Sequence, residues 1–98
     1  MADHSFNISA VSIIDAPVNA IGNRLLASFN LSVAGMRIHG CVLIEKATGV
    51  VQAEGPRGKT HSGISINTKF EDPALARAVT RRMAEVYTNL TGREVCDE

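Results

Sequence analysis

Aromatic residues are scarce in this chain: Phe6, Phe29, Phe70 and Tyr87 are all it has, and tryptophan is absent. A protein that holds bases mainly by stacking them on aromatic rings carries more, so stacking-led recognition is disfavoured. Cysteine is rarer still, and Cys41 and Cys96 do not make a disulfide framework. No apolar run approaches the ~20 residues of a membrane span. The opening Met1-Ala2-Asp3-His4 lacks the basic region and continuous apolar stretch of a secretory signal. The expectation is a cytoplasmic protein with no membrane partner. Net charge is missing too: ten Lys and Arg balance ten Asp and Glu, which argues against a strong nonspecific polyanion binder.

What is present fits one domain of 98 residues, with residues 1–7 and 93–98 read as loose tails. Folding at this size buries about 60–70% of the unfolded chain's surface, so pairing into a dimer would help stability. The charge is unevenly spread. From Arg24 to Arg93 all ten cations face five acids, Glu45, Glu54, Glu71, Asp72 and Glu85. The other acids, Asp3, Asp15, Glu94, Asp97 and Glu98, lie towards the ends, so the body is more basic than the total.

Hydrophobic periodicity predicts the elements. Ile8–Ile14 is short and β-branched and reads as a strand, ended by Asp15-Ala16-Pro17. Leu25, Ala27, Phe29, Leu31 and Val33 alternate with Ser28, Asn30 and Ser32, the period of a half-buried strand. Met36, Ile38, Val42 and Ile44 alternate with Arg37, His39 and Cys41. A two-residue loop at Ala34-Gly35 would pair Val33 with Met36, Leu31 with Ile38 and Phe29 with Gly40. Ala34 suits a type I′ turn poorly, which leaves a longer loop open. In this register Leu26 and Leu43 meet on the outward sheet face and form a candidate homodimer interface. Val50–Glu54 reads as a further strand, Gly55–Lys59 as a loop, and Ser62–Thr68 as a short edge strand at best. The helix is the clearest element. Asp72 is a good N-cap, Pro73 fits the first helical position, and Gly92 supplies the stop. Leu75, Val79, Met83, Val86 and Leu90 form its apolar stripe. The expected fold class is α+β: an antiparallel sheet of about four to five strands packed by one C-terminal helix.

Three chemical constellations lack the spacing or context their chemistry needs. Ala53-Glu54-Gly55-Pro56-Arg57-Gly58-Lys59-Thr60 fits the relaxed nucleotide-loop pattern, but no helix follows to hold the phosphate. His39 and Cys41, with His61 and Cys96, lack the paired spacing of a zinc site, so no metal or cofactor is expected. Asp15, His39 or His61 and the serines show no spacing that ties a nucleophile to a base, so no catalytic residue is named and no enzyme is expected. Glu71-Asp72 is explained by the helix N-terminus. The basic set is the strongest remaining signal. Arg57 and Lys59 sit on a loop, and Arg77, Arg81 and Arg82 sit on the polar side of the helix, both settings from which cations reach phosphate. A solvated helix face is the plain alternative for the three arginines.

The stretch Phe29-Asn30-Leu31-Ser32-Val33-Ala34-Gly35-Met36-Arg37-Ile38-His39 resembles the strand–turn–strand of the stage V sporulation protein G family. His39 with Val42-Leu43-Ile44 is similar to that family's aliphatic–His–x–x–aliphatic run. Gly49-Val50-Val51-Gln52-Ala53, ending at Pro56 before Arg57 and Lys59, resembles its strand leading to a proline and a basic loop. Ile66-Asn67 and a helix ending near Tyr87 complete the order, so the likeness covers Leu25 to Leu90. It implies a SpoVG-like fold, a homodimer joined through the sheet, and a site-specific DNA- or RNA-binding regulator. Arg57 and Lys59 would contact backbone phosphate. The departures are Gly55-Pro56-Arg57 in place of the family's Met-Pro-Ser, and a polar insert reduced to Thr60-His61-Ser62-Gly63. A homodimer serving protein interaction or structure, without nucleic-acid binding, is the alternative.

Overall fold

A computed structural model describes residues 5–97. Met1–His4 and Glu98 lie outside the described residues, and with them part of both expected tails and the acids Asp3 and Glu98. Alternation builds a four-stranded antiparallel meander of β1 (Phe6–Ile13), β2 (Arg24–Val33), β3 (Met36–Glu45) and β4 (Val51–Glu54), in that spatial order. A separate hairpin of β5 (Arg57–Lys59) and β6 (Ser65–Asn67) follows, then helix α1 (Pro73–Thr91). The expected α+β class is the observed one.

Helix α1 starts where the Asp72 side chain accepts the Ala74 N–H at 2.9 Å, and it stops at Gly92, whose φ of 76° is left-handed. It packs over β4 and β3. Its buried face is Val79, Thr80, Met83, Ala84 and Tyr87, so the expected stripe is rotated: Leu90 is exposed. Thr80 is the one buried polar residue among those described, and its Oγ1 accepts the Ala53 N–H at 3.0 Å. That bond and the Val51 N–H to the Cys96 carbonyl, at 2.7 Å, cover the outer edge of β4.

The β2–β3 turn is the tight one. Ala34 and Gly35 have φ of 51° and 76°, both positive as a type I′ geometry requires, and Val33 pairs with Met36 and Leu31 with Ile38. Beyond Ile38 the register shifts. Gly40, at φ 84°, is the extra residue of a β-bulge, and Phe29 pairs with Cys41 instead of Gly40. One inserted residue inverts every side chain beyond it. Ile38, Cys41 and Leu43 therefore share the core face, and His39 and Cys41 do not share a face. A second shift, between Leu25 and Ala27, accommodates Leu26.

These bulges overturn the expected dimer residues. Leu26 and Leu43 are both 0% exposed, within the core formed with Ala27, Phe29, Leu31, Val51, Ala53 and the helix. Leu43 stands opposite Ala27, not Leu26, and neither leucine offers surface to a partner.

Both expected tails are partly structured. Phe6 and Asn7 belong to β1. Cys96 forms a parallel bridge with Val50, and Val95 packs on the core. Arg93 Nη2 reaches both Glu45 carboxylate oxygens, at 2.9 and 3.1 Å, and its Nη1 donates to the Tyr87 hydroxyl at 3.2 Å. Tyr87 in turn donates to Asp15. Burial of the ring, then the bond to Asp15, pushes the Tyr87 pKa up, while the Glu45 bond raises that of Arg93. No helix among the described residues is long and apolar enough to cross a membrane.

Candidate nucleic-acid interface

Gly55–Lys59 is not the plain loop expected. Pro56 accepts the Thr68 N–H at 3.0 Å, and Arg57 and Lys59 then pair with Asn67 and Ser65. Gly55 permits this: a Cβ there would lie 2.5 Å from the Thr68 carbonyl oxygen. The hairpin closes through Thr60–Gly63, with the Gly63 N–H bonded to the Thr60 carbonyl at 2.9 Å. Arg57 and Lys59, two residues apart on a strand, project from the same exposed face. Ala53–Thr60 thus runs from strand to strand, and no helix starts before Pro73 to make a nucleotide cradle.

Beside this hairpin lies a cleft of about 690 Å³. Four cations line it, Arg24, Lys46, Arg57 and Lys69, around a single acid, Glu54, with Ile21, Leu25, Ile44 and Phe70 as apolar wall. Arg24 opens β2, Lys46 begins the β3–β4 turn, Arg57 opens β5, and Lys69 follows β6, so the sheet and the hairpin together gather the charges. Glu54 bridges two of them. Its Oε2 is 3.0 Å from Lys46 Nζ, and its Oε1 accepts from Arg57 Nη2. Burial alone would raise the Glu54 pKa, but Lys46 and Arg57 together hold it below the usual carboxylate value. Arg24 Nε donates to the Ala16 carbonyl at 2.9 Å. Lys59 and Lys69 pair with no carboxylate among the described residues.

The helix arginines stand apart. Arg77, Arg81 and Arg82 are exposed and line no part of the cleft, although Ala76 does. Arg81 Nε lies 3.3 Å from Asp97, and Arg82 Nη1 lies 3.6 Å from Glu85. Around Arg81 the surface is acidic, with Glu85, Glu94 and Asp97. The structure therefore brings Arg57 together with three cations that charge counting does not single out, Arg24, Lys46 and Lys69, while Lys59 stands on the adjoining face of β5. Their signal is positional: Arg24 and Lys46 stand at neighbouring ends of β2 and β3, Lys69 follows β6, and their convergence shows only in three dimensions.

Cys41 is buried, which raises its thiol pKa, and Cys96 is exposed. No three His, Cys, Asp or Glu side chains among the described residues group to hold a metal ion. The chain matches no protein-family model, no curated protein and no solved structure.

Proposed function

We propose that this protein is a small, non-catalytic regulator that acts as a homodimer and binds DNA or RNA through the cationic cleft and the adjoining face of β5. The observation that supports this most is the gathering of Arg24, Lys46, Arg57 and Lys69 around one carboxylate, with Lys59 continuing the positive line from Arg57. Spaced cations on a rigid sheet and hairpin suit a phosphate backbone. The resemblance to the stage V sporulation protein G family points the same way, and implies a phosphate contact at Arg57 and Lys59. Arg81 and Arg82, held by acids, contribute less; Arg77 is the helix arginine best suited to a flanking contact.

Pairing is proposed through β1. Of the two sheet edges, β4 is covered by Thr80 and Cys96, whereas β1 carries eight residues, Phe-Asn-Ile-Ser-Ala-Val-Ser-Ile, without one charge or proline to blunt it. That same edge favours the second reading, a protein-interaction homodimer without nucleic-acid binding.

The test is purification from the source cells without nuclease at low salt. Nucleic acid that travels with the protein and is removed by high salt is the expected result. A nucleic-acid-free dimer under those conditions would favour the second reading.

A further inference from the structure

The Glu54 carboxylate lies between two cations of the cleft, Lys46 and Arg57. Its two oxygens are used separately, one by Lys46 and one by Arg57, so the group acts as a bridging, two-oxygen anion. A phosphodiester also presents two unesterified oxygens and can make the same pair of charge-assisted bonds. The acid is the best shielded of the three, its side chain 18% exposed against 32% for Lys46 and 67% for Arg57. Both cations are thus more exposed than the carboxylate that holds them.

We propose that Glu54 is a built-in phosphate mimic: in the free protein it occupies Lys46 and Arg57, and a nucleic-acid phosphate must compete with it for them. This rests on the cleft being the nucleic-acid site. Glu54 then sets affinity from within. Lys59 and Lys69 make the first, uncontested contacts, and Lys46 and Arg57 join only against the cost of leaving Glu54. Weak, sequence-tolerant association is suppressed, because it cannot meet that cost. The carboxylate remains after phosphate arrives and repels it.

The experiment compares wild type, Glu54→Gln and Glu94→Gln. The probes are labelled single-stranded DNA and RNA oligomers of mixed sequence, and inorganic pyrophosphate. Glu94→Gln removes the same unit of charge far from the cleft, and thermal melting verifies that all three proteins fold. Glu54→Gln is expected to bind the DNA or RNA oligomer about three- to tenfold more tightly, the scale of one or two freed pairs at a partly exposed site. Its log–log salt dependence should steepen by about 0.7 per added phosphate contact on a single strand. Glu94→Gln should stay close to wild type. Equal or weaker binding by Glu54→Gln, or an equal gain from Glu94→Gln, overturns the proposal while leaving the cleft as the binding site. Tighter pyrophosphate binding by Glu54→Gln, with no binding of either oligomer by any protein, upholds the mimic and overturns the nucleic-acid reading. No binding of any probe by any protein overturns both.

Discussion

Lys46 Nζ and Glu54 Oε2 meet at 3.0 Å across the β3–β4 turn, and the pair leans on Arg57 from the next hairpin. The carboxyl's pKa is depressed in the folded chain, below its usual 4.5. A group depressed on folding contributes stability above its unfolded pKa and loses it as pH falls through the folded value. The melting temperature of wild type should therefore fall below pH 4.5 more than that of Glu54→Gln. Parallel acid profiles for the two proteins would remove this pair from the stability account.

Tyr87 titrates in the opposite window. Its pKa is raised above the usual 10.0 by burial and by Asp15, so its contribution is complete below that pH and is lost as pH rises through the folded value. Tyr87→Phe should lose about 1 kcal/mol at neutral pH from the broken hydrogen bonds to Asp15 and Arg93. It should also show a shallower loss of stability above pH 10.0 than wild type. Urea unfolding at both pH values measures each effect.

The Thr80 hydroxyl is the acceptor for the Ala53 N–H, 3.0 Å away in the core. Thr80→Val keeps the shape and leaves that N–H without a partner, which should cost about 1–3 kcal/mol. Thr80→Ser should cost less. Equal losses for both, read from denaturant midpoints, would assign the effect to packing.

Leu43→Ala should destabilise the chain by about 2–5 kcal/mol, because a fully buried leucine leaves a cavity. Size-exclusion chromatography below the denaturation midpoint should show the same oligomer as wild type, since Leu43 faces the core. Pairing is instead tested on β1 by Ser9→Lys, a charge on the open edge. Wild type is expected to elute as a dimer and this variant as a monomer. Dimer elution for both would move the interface elsewhere.

The helix was legible because its signals are local: Asp72 and Pro73 at the start, Gly92 at the end, and an apolar stripe between. The meander was legible from alternation. What was hidden is non-local. A single left-handed glycine, Gly40, inverts the faces of β3 and turns Leu43 inward, and a second shift between Leu25 and Ala27 does the same for Leu26 on β2. Ala34 in the tight turn shows the converse, a residue of poor turn propensity held there by the pairing on either side. The Arg57–Lys59 strand has no apolar alternation to announce it, and forms through pairing with β6. Of the site, Arg57 and Lys59 are legible from charge and resemblance. Arg24, Lys46 and Lys69 are scattered along the chain and converge only in three dimensions.

The central claim is that the cleft and the β5 face bind nucleic acid. A titration of mixed-sequence DNA and RNA oligomers against wild type and the double variant Arg57→Ala, Lys59→Ala, over a series of salt concentrations, tests it most directly. The account predicts measurable low-salt binding that falls steeply with salt, and for the double variant weaker binding and a slope reduced by about one to two units. Low-salt binding absent for every oligomer, or unchanged in the double variant, would contradict it.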